Sequence, residues 1–472
     1  MPEGNARGVG RSSSGLRGAG DLATASEAAA PFSESEAATT EDRPDRIFAA
    51  TSPRPNRPGL VTLYPVRAGE PFPVWRIAGA ADVGRSSRSS IRLDDTRVSR
   101  RHALMEVHPT GIMIRDARSR HGSFVQGVGV PSEGALAKFG SIVRFGDTLL
   151  LATADVDLYR VPPRRLAGER LGLPSDMIAG PRLAQVWDQA ARAAKLKDPV
   201  LILGESGTGK ECVARIVHAF SELAGPFVGI NVAAVPDSLF EAELFGHERG
   251  AFTGATTPRR GAFREATGGV LFLDEIGDLR SEVQGKLLRT LDLGRVRPLG
   301  ASRDVQVETR IVSSTSRDLR EACEAGTFRG DLWYRLSGIV IQVPPLRERP
   351  HDLVLLALAM IREQAPQMQF STDALERLLL SSWNGNARQL RYAVSHGLDK
   401  ALAAGNQISV EHLPELDDVQ DDPGQISEER IRASMLKAGG VAARAAAILG
   451  VSRTTFYSSL NRLNIDVTSL RR

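Results

Sequence analysis

Cysteine is almost missing from this chain: among 472 residues there are two, Cys212 and Cys323. They stand far apart and form no CxxC pair, which excludes a disulfide framework and a zinc knuckle and points to a reducing cytoplasm. Long apolar runs are missing too. The longest, at 353–361, falls well short of the roughly 20 residues that span a bilayer, and the N-terminus has no apolar segment behind its arginines, so nothing directs the chain to a membrane or to export. Net charge is small, at +4. It is unevenly spread, however, because residues 430–472 hold eight Lys or Arg against one acid, Asp466. That basic end points to a polyanionic partner there. No repeat of fixed period is present.

What is there divides by composition, and the length fits about three domains. Residues 1–57 are Gly, Ser, Ala, Pro and charge with little beyond Phe32 to anchor a core, and read as disordered. Residues 58–154 show strand-like segments at short intervals, "GLVTLYPV", "PVWRIAG", "ALMEVHPTGIMIRDA" and "SIVRFGDTLLLA", which predict an all-β sandwich. A Pro- and Arg-rich linker follows at 155–174, an α/β region with a helical lid (from about 347) at 175–405, an acidic linker at 406–425 and an all-α basic tail at 426–472.

The α/β region carries the strongest chemistry. In "PVLILGESGTGKECVARIVHAF" an apolar strand runs into a glycine-rich loop, Gly204, Glu205, Ser206, Gly207, Thr208, Gly209 and Lys210, and then into a helical pattern. The glycines turn successive N–H groups toward one anion, the helix start adds a positive dipole, and Lys210 can reach the outer phosphates. This is a P-loop, with Glu211 where a Ser or Thr usually helps hold magnesium. In "GGVLFLDEIGD" a second apolar strand ends at Asp274 and Glu275, where open α/β sheets place ligands. Asp274 is the expected Mg2+ holder and Glu275 the group that polarises the attacking water.

The strings "GESGTGKE", "ELFGHERGAFTGA", "GGVLFLDEIGDL", "FRGDLWYRL" and "VPPLRERPHDL", in this order, resemble the AAA+ domain of sigma-54-dependent transcriptional activators. The resemblance covers about 175–405. It implies ATP and Mg2+ as cofactors, a homo-oligomeric ring, usually a hexamer, and sigma-54 RNA polymerase holoenzyme as partner. It also implies roles for Asn231, which pairs with the catalytic glutamate, for Arg329 and Arg335, which a neighbouring subunit directs at the γ-phosphate, and for Arg388, the sensor of the lid. The chain departs from the family at Ser314-Thr315-Ser316, where Ala-Thr-Asn is usual, and at Trp383-Asn384-Gly385-Asn386, where Trp-Pro-Gly-Asn is usual. Serine reaches less far than asparagine, so hydrolysis is expected to couple more weakly to movement.

In the sandwich, "VGRS", "RVSRRHALMEV" and "DARSRHGSFVQG" resemble the forkhead-associated (FHA) domain, a phosphothreonine reader. That likeness implies Arg85, Ser99 and Arg100 around the phosphate, with His121 where an asparagine normally holds the peptide backbone, and a phosphothreonine protein or Ser/Thr kinase as partner. His102 is assigned to core packing. A sandwich that only contacts its own ATPase domain is the alternative. In the tail, "VAARAAAILGVSRTTFYSSLNRL" resembles a Fis-type helix-turn-helix, with Gly450 at the turn, Ser452 as a cap, and Arg453, Thr454, Thr455, Tyr457 and Ser458 available to upstream DNA.

These expectations combine into a cytoplasmic regulator that binds upstream DNA and uses ATP to remodel sigma-54 holoenzyme. The alternative is a DNA-binding regulator that binds ATP but hydrolyses it too slowly to remodel; an AAA+ chaperone is a more distant rival. The loop Gly250, Ala251, Phe252, Thr253, Gly254 and Ala255 is the expected sigma-54 contact. A packed hairpin that buries Phe252 is the competing explanation.

Overall fold

A computed structural model describes residues 57–66, 70–173, 175–402 and 405–417, with single positions at 435, 438 and 445. Almost all of the segment expected to be disordered lies outside the described residues, as do Arg453, Thr454, Thr455, Tyr457 and Ser458 of the expected helix-turn-helix. Among the described residues no helix is long and apolar enough to cross a membrane.

The first layer is a two-sheet β-sandwich. Its strands are β1 (Gly59–Tyr64), β2 (Val74–Arg76), β3 (Ala80–Gly84), β4 (Ile91–Arg92), β5 (Ala103–His108), β6 (Gly111–Asp116), β7 (Ser123–Val125), β8 (Val128–Gly129), β9 (Ala135–Lys138), β10 (Ile142–Phe145) and β11 (Thr148–Thr153). One sheet has the order β2-β1-β11-β10-β7-β8 and the other β4-β3-β5-β6-β9. Leu60, Val83, Met105, Ile112, Ile114, Val143, Phe145 and Leu150 fill the space between them.

The second layer is a sheet of β12 (Val200–Leu203), β13 (Phe227–Asn231), β14 (Val270–Asp274), β15 (Arg310–Thr315) and β16 (Ile339–Gln342), ordered β13-β14-β15-β12-β16 with every pairing parallel. β12 (VLIL) and β14 (VLFLD) are apolar without alternation because both faces are covered. Val200, Ile202, Val270, Phe272 and Val312 pack on Trp187 of α1 (Pro181–Ala194) and on Val213 and Ile216 of α2 (Lys210–Ala219). Leu201, Leu271, Leu273 and Ile311 join a separate cluster with Leu287 of α3 (Ser281–Leu293) and with Leu332 and Leu336 of α4 (Gly330–Leu336).

A helical lid follows: α5 (Pro350–Gln364), α6 (Thr372–Leu379) and α7 (Asn386–Leu402). Pro350 opens α5, where its missing N–H costs nothing, and Ser371 caps α6 by accepting from the Ala374 N–H at 3.1 Å. The sandwich is fixed to this lid. Alternate residues of β11 serve opposite cores: Leu150 and Ala152 face the sandwich, while Leu149 and Leu151 join Leu353, Val354, Leu375 and Leu378 of the lid. Burying the two outward leucines contributes roughly 3 to 6 kcal/mol that a free-standing sandwich would leave in water. Arg144 pairs with Asp373 and, at 3.2 Å, with Glu376, and its guanidinium lies 4.2 Å from the centre of the Phe124 ring. His351, 3% exposed, sits with its ring centre 4.5 Å from both Phe72 and Tyr159. Burial drives its pKa down to about 3, so the imidazole is neutral there.

Candidate functional site

The P-loop joins the C-terminal end of β12 to the start of α2. Gly207 and Gly209 adopt φ of +77° and +99°, conformations that a side chain would strain. A Cβ on Gly207 would also lie 2.3 Å from the Gly385 carbonyl oxygen, because the lid comes down directly on this loop. The Ala387 N–H donates to the Gly207 carbonyl at 3.1 Å. Lys210 is 6% exposed, and its Nζ donates to the Gly204 carbonyl at 2.9 Å, the Glu205 carbonyl at 3.3 Å and Glu275 Oε1 at 3.0 Å. A lysine buried this deeply needs a counter-charge, and Glu275 supplies it. Thr208 Oγ1 closes the turn by donating to the Glu205 carbonyl at 2.8 Å.

The two acids at the end of β14 are held differently. Asp274 accepts from the Ser314 hydroxyl and, at 3.0 Å, from Asn231 Nδ2. Both donors are neutral, and no cation pairs with Asp274 among the described residues. A carboxylate bonded only by neutral donors beside a phosphate-sized loop fits magnesium, which takes one or two carboxylates together with phosphate oxygens. Glu275 stands at φ +54°, a costly conformation for a non-glycine residue. The turn directs its Oε2 at Ser316, whose N–H and hydroxyl both donate at 2.9 Å. Burial raises the Glu275 pKa, but the Lys210 ammonium and the two Ser316 donors outweigh it and hold the carboxyl below the usual range.

Three features of this arrangement differ from the sequence-based expectation. Asn231 bonds Asp274 instead of Glu275, because Lys210 and Ser316 draw Glu275 away. Ser316, despite its short side chain, does reach the glutamate, since its backbone N–H reinforces its hydroxyl. Glu211 is turned to Arg215 at 2.9 Å and away from the loop.

The lid supplies contacts that sequence patterns did not single out. Asn386, fully buried, donates from Nδ2 to Glu205 Oε2 and to the Ser206 carbonyl, both at 3.0 Å, and its Oδ1 accepts from the Leu346 N–H at 2.7 Å. Arg347 grips Glu205 with two bonds of 2.9 and 2.6 Å. Arg388, which the sequence did single out as the sensor, reaches Ser206 Oγ at 3.4 Å. The signal for Asn386 was present in the departure at Trp383-Asn384-Gly385-Asn386, where the asparagine stays while the proline is lost.

Arg329 caps the start of α4 and Arg335 lies in its last turn, both exposed. Arg329 pairs bidentately with Asp331 at 3.0 and 2.7 Å, while Arg335 meets Asp292 at 3.4 Å and the Leu291 carbonyl at 3.0 Å. Neither bonds the P-loop, Asp274 or Glu275 of its own chain.

Gly250, Ala251, Phe252, Thr253, Gly254 and Ala255 sit on a loop between the short paired strands Gly246–His247 and Arg259–Arg260. Gly250 and Gly254 have φ of +81° and +101°, so only glycine sits there without strain. The Gly250 N–H closes the loop on the Ala255 carbonyl at 2.8 Å. Phe252 remains 39% exposed, with one edge on His247 at 5.0 Å between ring centres, and Thr253 is exposed beside it. The ring is not buried in a core.

At the loop end of the sandwich, the Arg85 N–H donates to the Ser99 carbonyl at 2.9 Å, and Ser99 Oγ accepts from the Arg120 N–H at 3.1 Å. The Arg100 carbonyl accepts from the Ser86 N–H at 3.2 Å, and His121 is exposed nearby. Beneath them His102 is fully buried: Nδ1 accepts from the Ser99 N–H at 3.0 Å and Nε2 donates to the Gly122 carbonyl at 3.1 Å. Its role therefore exceeds packing, because one neutral imidazole ties two loops together.

Comparison with known proteins gives three matching family models: the sigma-54 interaction domain over residues 177–342, the FHA domain over 81–146 and the AAA+ ATPase lid domain over 347–428. The transcriptional regulatory protein GlrR of Escherichia coli K12 is 41% identical over 305 residues, which cover 62% of this chain and 68% of that protein. The Nif-specific regulatory protein of Azotobacter vinelandii is 40% identical over 319 residues, covering 62% of this chain and 60% of the relative. The structure of NtrX from Brucella abortus in complex with ADP is 32% identical, covers 60% of this chain and 68% of that one, and superposes with a TM-score of 0.47.

Proposed function

The chain belongs to the sigma-54-dependent transcriptional regulators and carries an FHA domain, and from that premise we propose that it is an ATP-driven activator that remodels sigma-54 RNA polymerase holoenzyme at promoters under the control of a phosphothreonine signal. The observation that carries this reading is the convergence of Lys210, Asp274, Glu275 and Ser316 at the ends of β12, β14 and β15.

Bound ATP and Mg2+ would supply the phosphoanhydride and the charge that neutralises it. Gly204, Gly207, Gly209 and Lys210 hold the phosphates, with Glu205, Ser206 and Thr208 shaping the loop. Asp274 holds the metal, fixed by Asn231 and Ser314. Glu275, ionised through its donors, orients the water once Lys210 turns to phosphate, and Ser316 keeps hold of it while Lys210 changes partner. Arg329 and Arg335 serve a neighbouring subunit's site, a reading supported by their exposure and by partners that are surface acids. A ring follows from that arrangement, in the family usually a hexamer. Phe252 and Thr253 contact sigma-54, the tail with Arg453, Thr454, Thr455, Tyr457 and Ser458 binds upstream DNA, and Arg85, Ser99, Arg100 and His121 receive the phosphopeptide. All of this is work for the cytoplasm.

Steady-state phosphate release and open-complex formation with sigma-54 holoenzyme, measured on one preparation, test the proposal. ATP-dependent promoter opening is expected. ATP binding without turnover or opening would leave a DNA-binding regulator that does not remodel.

A further inference from the structure

We propose that the loop end of the sandwich selects a phosphothreonine peptide flanked by several carboxylates, a narrower ligand class than phosphothreonine peptides in general; the inference rests on the phosphopeptide reading above. Six arginines crowd this end: Arg85, Arg88, Arg100, Arg101, Arg118 and Arg120, all exposed. Backbone bonds hold four of them together, and the Ala117 N–H, beside Arg118, donates to the carbonyl of His102, beside Arg101, at 2.9 Å. Arg85 and Arg120 both donate from N–H to Ser99, Ser86 donates to the Arg100 carbonyl, and the Arg88 N–H returns to Ser86 Oγ at 3.2 Å.

None of the six makes an ion pair among the described residues, whereas Arg97 and Arg115 in the same domain pair with Asp147 and Glu106. The reason is visible in the neighbouring acids. Asp82 accepts from the Ser90 N–H and hydroxyl, Asp95 from the Arg97 and Asp147 N–H groups and the Thr148 hydroxyl, and Asp116 from Ser119 and Ser123. Carboxylates that could neutralise the arginines are committed to shaping the loops, which leaves Asp94 as the remaining acid of these turns. A single phosphothreonine brings a charge of about −2, which Arg85 and Arg100 balance. Arg88, Arg101, Arg118 and Arg120 are left without an anion, and side chains carrying carboxylates on either side of the phosphate supply them.

A stretch with this chemistry occurs in the chain's own sequence: "SESEAATTEDRPDR", residues 33–46, sets Thr39 and Thr40 between Glu34 and Glu36 on one side and Glu41 and Asp42 on the other. It makes a suitable probe. A fluorescent synthetic peptide of this sequence, phosphorylated at Thr40, is titrated against the full-length protein beside its unphosphorylated twin and a phosphopeptide in which Glu34, Glu36, Glu41 and Asp42 are replaced by Ala. The acidic phosphopeptide is expected to bind about tenfold more tightly than its neutral-flanked counterpart at low salt, with the advantage shrinking as ionic strength rises. The combined variant Arg88→Glu, Arg101→Glu, Arg118→Glu is expected to lose that advantage while keeping its preference for phosphate, which also shows that the domain remains folded. Equal binding of acidic and neutral-flanked phosphopeptides, with phosphate still required, would overturn the inference and leave the phosphopeptide reading standing. Equal binding of the phosphorylated and unphosphorylated acidic peptides would overturn both. Tighter binding of a single-stranded oligonucleotide than of the acidic phosphopeptide, lost in the Arg88→Glu, Arg101→Glu, Arg118→Glu variant, would overturn the inference and show that the basic face serves a different polyanion.

Discussion

Lys210 is 6% exposed and already paired with Glu275 at 3.0 Å, while the arginines at the loop end of the sandwich are exposed and have no carboxylate partner among the described residues. The two proposed phosphate sites therefore start from opposite conditions. Phosphate entering the P-loop displaces an internal anion, so occupancy necessarily alters what Glu275 touches. Phosphate reaching the sandwich displaces only water and counterions. The first arrangement suits a site whose filling must be reported elsewhere in the molecule. The second suits capture, at the cost of strong sensitivity to salt.

The largest effect expected within this comparison is at Lys210. Lys210→Ala removes the buried cation and leaves Glu275 without its partner, and nucleotide affinity should fall by about a thousandfold or more, on the order of 4 kcal/mol. Glu275→Gln should behave in the opposite way. It frees Lys210 from its counter-charge, so nucleotide binding is retained or tightened while phosphate release is lost. Fluorescent-nucleotide titration checks both, and clearly weaker binding in Glu275→Gln would break the view that Glu275 stands in for phosphate.

A smaller effect is expected at the seam that fixes the sandwich to the lid. His351 is neutral in the fold, with its pKa depressed to about 3 from 6.5. The unfolded chain takes up this proton near pH 6.5 and the folded one does not, so stability is fully present above that pH and drains away as pH falls toward 3. Between pH 7.5 and pH 5 the loss from this group alone is about 2 kcal/mol. Urea unfolding of wild type and His351→Phe at both pH values measures it: the variant should show a shallower decline. An identical pH dependence in the two proteins would show that the seam opens to water.

The smallest effect on stability is expected at Phe252. With one edge on His247 and much of the ring in water, Phe252→Ala should cost less than about 1 kcal/mol, against about 3 to 5 for a buried ring. Promoter opening should nevertheless be lost with most ATP turnover retained. A melting temperature lowered along with every activity would place the ring in a core.

The layered sandwich and the parallel sheet were legible because their signals are local: alternation and turns in the first, uninterrupted apolar strands leading to "GESGTGK" and "LDE" in the second. The partners within the site were less legible. Ser316 was marked as a shortened sensor, yet the backbone at Glu275 turns the carboxylate toward it, and Asn231 is bonded to the other acid. A left-handed φ at a glutamate leaves no trace in residue type.

The sequence by itself determined which residues carry charge and which segments bury themselves, because periodicity and glycine placement act over a few neighbouring positions. Only the tertiary structure decided where each charge finds its counterpart. "TLLLA" shows the division. Its three consecutive leucines announce a strand covered on both faces, but that the second cover is the lid of the ATPase, locked by Arg144 on Asp373 and Glu376, depends on residues more than 200 positions away. The same holds for Asn386, which closes on Glu205 and Ser206 across about 180 residues. Contacts between distant segments are settled by how whole layers pack, and packing depends on shape and desolvation that no local pattern records.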